Sequence, residues 1–319
     1  MSRFFHICNL NFAGAGGLKK SIPTLSFYLN KIDKCKSSVI TNSNEFCDFT
    51  TSDKFFLHSS YQILHLIFLL KISNCTVHCV PRGAFNKNFV NFKKKIFLFI
   101  FRFICFLKSI NIKVIYLNDM ERRNSVLNKS YHIIPNGVEP RIKTDLNIQN
   151  KFSNKTILFI SRFDVYQKGL DRLHDILLFN PSFNEYTIKL YGAKNTQDLL
   201  KVQSIFKNFK NVLCFPSISG DDLFTEMSES TFHILLSRGE GFPMSCLETL
   251  SFATPQILSI ETNILDIIEE KNCGFSSLDI KTFDFTSLTY DEYFSLCENS
   301  LKCSLSFNWV NIAQKYYNL

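Results

Sequence analysis

Short apolar runs alternate along the chain with longer stretches in which apolar positions recur every three or four residues. RFFHICNL (3–10), SSVIT (37–41), the TVHCV run (75–80) and KVIYL (113–117) read as strands. Helix-length segments stand between them: LKKSIPTLSFYLNK (18–31), the region around 60–72, and 93–108. AGAGG (13–17) joins the first strand to the first helix, the opening of a Rossmann-like unit. HIIPNGV (132–138) pairs a short strand with a Pro-Asn-Gly turn, and the polar stretch 139–155 has linker character. The alternation then restarts. TILFISR (156–162), TIKLYG (187–192), NVLCF (211–215), FHILLS (232–237) and PQILS (255–259) read as strands. Helices are expected at 168–179, 195–209, 221–229, 243–253 and 263–271. Strands in regular alternation with helices predict parallel sheets covered on both faces, an α/β chain of two Rossmann-like domains. Ligands of such sheets bind beyond the carboxyl ends of the strands, where Arg162, Phe215 and Ser237 fall.

The length of 319 residues fits two domains with separate cores. Charge divides them. Residues 1–150 carry 21 Lys and Arg against 8 Asp and Glu, while residues 151–319 carry 15 against 20. A basic first half suits an anionic membrane surface, a phosphorylated acceptor or a nucleic acid. No nucleic-acid motif appears, so nucleic acid is not expected as a partner. The eleven Cys are scattered singly in apolar runs and no secretory leader opens the chain, so reduced thiols and a cytoplasmic location are expected. Cys75, His78 and Cys79 alternate like a strand and lack a second ligand pair at zinc spacing, so no metal site is expected there. IFLFIFRFICFL (96–107), preceded by three Lys, fits two readings. One is a buried helix of an α/β domain, the favoured one; the other is a helix lying on a membrane surface. It is too short to span a bilayer.

The richest chemistry lies in SRGEGFPMSCLETLSFATP (237–255). A buried strand, a Gly-flanked turn and a helix with Pro243 in its first turn place free N–H groups toward the turn, a ready anion site. Glu240 sits at its mouth and Glu248 about 7 Å further along the helix axis. Two carboxylates beside an anion site suggest hydroxyl-rich groups flanking a phosphate, as in a nucleotide sugar. Arg162 and Lys168, six residues apart after a strand, can supply counter-charge to a diphosphate. Gly16 and Gly17 fit either close approach of backbone to a phosphate or a tight turn alone. Asp221 and Asp222 are read as capping a helix rather than as metal ligands.

The ordered set IPNGV, ISRFDVYQKGLDRL and LLSRGEGFPMSCLETLSFATPQI resembles the family-4 retaining glycosyltransferases of GT-B fold (group 1), over residues 132–275. VPRGAF (80–85) with FKKKIFLFIFRFI resembles the acceptor-domain segment of bacterial surface-polysaccharide members, and FNWVNIAQKYYNL (307–319) the closing helix of the fold. The resemblance implies an acceptor domain over 1–145, a donor domain over 150–303 and a closing helix over 304–319. The two domains would face each other across a cleft. It implies metal-independent transfer of a hexosyl group, without cofactor, from a UDP- or GDP-linked sugar to a glycan, lipid-linked at the inner membrane surface. Arg162 and Lys168 would hold the diphosphate and stabilise its developing charge, with Glu240 on the transferred sugar. Glu248 would take the ribose hydroxyls. Gly241, Phe242, Pro243, Met244 and Ser245 would line the phosphate, Phe215 and Ser217 the base, and Gly16, Gly17, Arg82 and Asn136 the acceptor and phosphate side. Three departures stand out: Arg82-Gly83 where many members have His-Gly, a single Gly192 where Gly-x-Gly is frequent, and a short first domain. Two rivals remain. A sugar-nucleotide epimerase or pyridoxal phosphorylase is disfavoured in its phosphorylase form by the lack of Lys between Lys210 and Lys271. A non-catalytic GT-B-like subunit would have no need of the four charged residues.

Overall fold

The computed structural model describes residues 2–10, 16–59, 62–87, 90–127, 129–140 and 147–319. The chain forms two compact units, one of Met1–Gly137 with Trp309–Leu319 and one of Val138–Asn308.

In the first unit the elements run β1 (Ser2–Ile7), α1 (Gly16–Leu29), β2 (Cys35–Ile40), β3 (Lys54–His58), α2 (Ile63–Lys71), β4 (Thr76–Val80), α3 (Phe92–Leu107), β5 (Asn111–Tyr116), α4 (Asp119–Arg123) and β6 (Tyr131–Ile133). The six strands lie in the order β2-β1-β3-β4-β5-β6 and every pair is parallel. β3 was not expected, yet it occupies the middle of the sheet. Its KFFLH run is buried on both faces, so it lacks the alternation that marks a half-buried strand. The Gly-rich turn expected over 13–17 lies outside the described residues as far as residue 15, and α1 begins at Gly16. The abundance of Phe has a structural use: Phe49 packs against Phe5, Phe55 and Phe68 with ring centres 5.2 to 5.5 Å apart. α3 is capped by Asn91, whose side chain accepts from Lys94 N, and it buries Phe97, Leu98, Phe101, Ile104 and Cys105. No described helix is long and apolar enough to cross a membrane.

The second unit runs α5 (Ile148–Asn154), β7 (Thr156–Ile160), α6 (Leu170–Phe179), β8 (Thr187–Ala193), α7 (Thr196–Ile205), β9 (Val212–Pro216), α8 (Gly220–Glu229), β10 (Phe232–Leu235), α9 (Met244–Leu250), β11 (Gln256–Leu258), α10 (Leu265–Glu270), β12 (Gly274–Ser276) and α11 (Tyr290–Leu305). Its sheet is parallel in the order β12-β11-β10-β7-β8-β9. The last helix, α12 (Trp309–Tyr317), belongs to the first unit, where a Cβ at Gly137 would come within 2.4 Å of the Trp309 ring.

Three local expectations are corrected. The polar stretch 139–155 is not linker throughout: α5 occupies its second part and buries Lys151. Its residues 141–146 lie outside the described residues. Pro243 precedes α9 as its cap instead of sitting in the first turn, and the helix ends at Leu250. Asp221 and Asp222 do not cap α8; Ser219 holds that position and the two acids lie in the first turn, where they favour the helix dipole.

Candidate active site

The second unit builds its charged cluster on the loop after β7 and the turn after β10. Ser161 and Arg162 follow the last residue of β7, and the chain then folds back on itself. Lys168 N donates to Asp164 O at 2.9 Å and Gln167 N to Asp164 Oδ1 at 3.0 Å. Gly169 ends the loop at φ +70°, and a Cβ there would stand 2.0 Å from the Leu236 carbonyl oxygen. Only glycine permits both the left-handed backbone and this approach. The approach sets Lys168 beside the turn that follows β10.

Lys168 Nζ lies 2.5 Å from Glu240 Oε1, and Ser237 Oγ donates to the same oxygen at 2.7 Å. The Lys168 and Glu240 side chains are 11% and 14% exposed, so this is a largely desolvated pair. The turn carrying Glu240 is itself tied down. Glu240 N donates to Glu261 O at 3.1 Å, Asn263 Nδ2 donates to Glu240 O, and Ser259 Oγ donates to Ser237 O at 2.7 Å. Arg172 in turn grips Glu261 through two bonds of 2.7 and 3.1 Å. Burial and the Glu240 carboxylate push the Cys246 thiol well up, which keeps it protonated and unreactive.

Arg162 Nη2 donates to Gln167 Oε1 at 3.1 Å, which orients the guanidinium one residue before Lys168. It borders an open pocket of about 550 Å³ that Tyr166, Lys194 and Lys201 also line. Lys168 and Glu240 do not line that pocket. The charged pair and this opening are therefore not one hollow; Arg162, bonded to the residue before Lys168, lines the opening. Gly241, Phe242 and Pro243 lead from Glu240 into α9, whose Met244 and Ser245 N–H groups are first-turn donors without intrahelical acceptors. Glu248 is half-buried on that helix. Phe215, at the end of β9, stacks on Tyr191 at 4.7 Å, and Ser217 is exposed just beyond, its N–H bonded to Ala193 O at 2.9 Å. The lone Gly192 is required: a Cβ there would fall 1.6 Å from the Ser161 carbonyl oxygen.

In the first unit Arg82 follows β4 at φ +52°. Its Nη1 donates to Asn136 Oδ1 at 2.8 Å and Ser21 Oγ at 3.1 Å, and its Nε points to His58 Nδ1 at 3.4 Å. His58 Nε2 meets His6 Nδ1 at 2.8 Å, both rings buried. A histidine from the adjacent strand β3 thus stands beside Arg82. Gly16 and Gly17 open α1, one turn before Ser21. Glu121 was not foreseen. It is buried, accepts from Gly83 N and from Leu117 N (2.7 Å), and burial raises its pKa to about 7. The one signal was Asn118 three residues before it, a helix-capping spacing that places its own N–H on Asn118 Oδ1 at 2.6 Å. Among the described residues no group of three or more His, Cys, Asp or Glu is placed to hold a metal ion.

Residues 142–277 match the family described as Glycosyl transferases group 1. The chain carries a glycosyltransferase domain. The β10–α9 turn with Glu240, the Arg162–Lys168 loop and Glu248 all lie within it, and the chain is accordingly a glycosyltransferase. Solved structures agree on the GT-B fold. Sucrose-phosphate synthase from Thermosynechococcus elongatus superposes with a TM-score of 0.75 at 14% identity, covering 99% of this chain and 98% of that one. AviGT4, a glycosyltransferase involved in avilamycin A biosynthesis, gives 0.59 at 11% identity over 99% and 96%. The pneumococcal O-GlcNAc transferase GtfA, solved with UDP and GlcNAc, gives 0.58 at 12% identity over 85% and 56%. At such identities the likeness is one of fold. No curated protein sequence matches the chain.

Proposed function

We propose that this glycosyltransferase moves a sugar from a UDP- or GDP-linked donor to a glycan acceptor with retention of configuration and without a divalent metal. The second unit takes the donor and the first unit takes the acceptor. The observation that carries the reading is the desolvated Lys168–Glu240 pair beside Arg162. A diphosphate arriving at this loop offers Lys168 and Arg162 a stronger partner than a single carboxylate oxygen, and releases Glu240 toward the sugar hydroxyls. The two cations then stabilise the charge that develops on the leaving diphosphate, the role a metal would otherwise fill. The first-turn N–H groups of Met244 and Ser245 add donors to the phosphate, Glu248 accepts from the ribose, and Phe215 with Ser217 borders the base. The GtfA complex with UDP supports a UDP donor.

In the first unit Arg82, held by Asn136 and Ser21, provides a cation for a phosphate-bearing acceptor, with Gly16 and Gly17 at the start of α1. The basic balance of residues 1–150 supports a lipid-linked glycan of bacterial surface polysaccharide (O-antigen, capsule or exopolysaccharide) on the cytoplasmic membrane face. Incubation with each sugar nucleotide and a lipid-linked oligosaccharide, read by mass spectrometry for nucleotide release and acceptor extension, tests the proposal. Release that is absent for every donor, or that Glu240→Ala leaves unchanged, overturns it.

A further inference from the structure

α3 is apolar on two opposite faces. One face packs Phe97, Phe101 and Ile104 onto the first sheet. The other leaves Phe92, Phe99, Phe103 and Phe106 exposed at 75%, 72%, 54% and 81%. A helix needs only one apolar stripe to sit on a sheet, so the second does nothing for folding. α2 packs beside α3 over the same core and adds Ile63 and Leu70, 74% and 54% exposed. Singly exposed Phe residues are ordinary, whereas a continuous ridge of them across two adjacent helices marks a surface that is covered in use.

The charge around the ridge says what covers it. Between Asp53 and Asp119 the chain has ten Lys and Arg and no Asp or Glu. On α3 itself Lys93, Lys95 and Arg102 are exposed. At about 100° per residue, Lys95 and Arg102 fall on one border of the outer stripe and Lys93 on the other. We infer that this ridge docks on an anionic lipid surface. α3, about 24 Å long at 1.5 Å per residue, lies in the plane of the interface with its phenyl rings at the acyl boundary and its cations among the lipid phosphates. A second copy of the chain is disfavoured, because two such ridges would bring like charges together. A nucleic acid is disfavoured because the exposed Ile63, Ile96 and Ile100 have no ring face to stack on a base. Docking needs no sugar, so it stands or falls separately from the transfer reaction.

The test is co-sedimentation of the full chain with phosphatidylcholine vesicles with and without phosphatidylglycerol. Binding is expected only where phosphatidylglycerol is present, and it weakens with added salt. Phe99→Ser with Phe106→Ser should lower the affinity at least about tenfold, since both phenyl rings leave the acyl boundary. Both sites are exposed, so the melting temperature should hold. Lys95→Glu with Arg102→Glu should abolish the preference for the anionic lipid while leaving the fold intact. No binding of the unaltered chain to either vesicle overturns the inference. So does binding that both double variants retain, or a concentration-dependent dimer that the Phe variants dissociate.

Discussion

Lys168 Nζ lies 2.5 Å from Glu240 Oε1 although 72 positions separate the two residues. Residues expected to serve the diphosphate and the sugar separately are thus each other's partners. Glu240→Ala leaves a largely buried ammonium without its carboxylate, a change that costs about 3 kcal/mol for a desolvated pair. The variant should melt lower than the parent. UDP should restore more stability to it than to the parent, because the diphosphate then supplies the only strong counter-charge. Lys168→Ala should act in the opposite sense on the ligand, weakening UDP binding and reducing turnover by about 10²–10³. Calorimetric titration of UDP into both variants checks the pair. Equal UDP affinity in Lys168→Ala and the parent removes Lys168 from the phosphate site.

The loop that presents Lys168 depends on Gly169. A methyl group there meets the Leu236 carbonyl at 2.0 Å and the backbone sits at φ +70°. Gly169→Ala should lower unfolding free energy by about 2 kcal/mol through that collision and strain. It should also reduce nucleotide affinity by displacing Lys168 from Glu240. Denaturant titration and UDP binding on the same sample measure the two effects, and a variant as stable as the parent contradicts the geometry.

Burial sets the pH response of stability. It lowers His6 to about 3 and His65, His78 and His233 to about 4, from 6.5 when free. The unfolded chain therefore takes up protons below pH 6.5 that the folded chain refuses, so stability present above pH 6.5 is lost as pH falls toward 4. Glu121, raised to about 7, works the other way: its stability is present below pH 4.5 and lost as pH rises through 7. Four histidines outweigh one carboxylate, and the denaturant midpoint should fall between pH 6.5 and 4.5. A midpoint that stays level or rises contradicts this.

Lys151 gives a second window. Its ammonium is buried among Met227 O, Phe252 O and Thr254 Oγ1 at 3.2, 2.9 and 2.7 Å, and burial lowers its pKa to about 7. The unfolded chain keeps that proton up to pH 10.5 while the folded chain releases it above about 7, so stability rises over this range. Lys151→Met should flatten the rise. Parallel slopes for parent and variant count against the assignment.

How much of this was legible depended on what each residue's neighbours in sequence could show. The strand–turn–helix around Glu240 and Glu248 was readable because apolar periodicity changes sharply on either side of the turn. β3 was not, because burial on both faces erases alternation, and β12, three residues long, has too few positions to show any. Lys151 sits in a polar stretch that reads as linker, and only packing reveals that its ammonium is enclosed. The two faces of α3 were equally hidden, since nearly every position of IFLFIFRFICFL is apolar and periodicity cannot tell the inner stripe from the outer. Spacing likewise says nothing of the Lys168–Glu240 contact, which exists only once β7 and β10 lie side by side.

We propose that the second unit binds a nucleotide sugar through Arg162, Lys168, Glu240 and Glu248. A thermal-shift titration over UDP- and GDP-sugars with the parent chain and Glu248→Ala tests it most directly. One donor should stabilise the parent by about 2.7 kcal/mol at a hundredfold excess over Kd, and Glu248→Ala should abolish the shift for every donor sharing that base. No shift with any sugar nucleotide rules out donor binding by this chain, and an undiminished shift in Glu248→Ala removes Glu248 from the site.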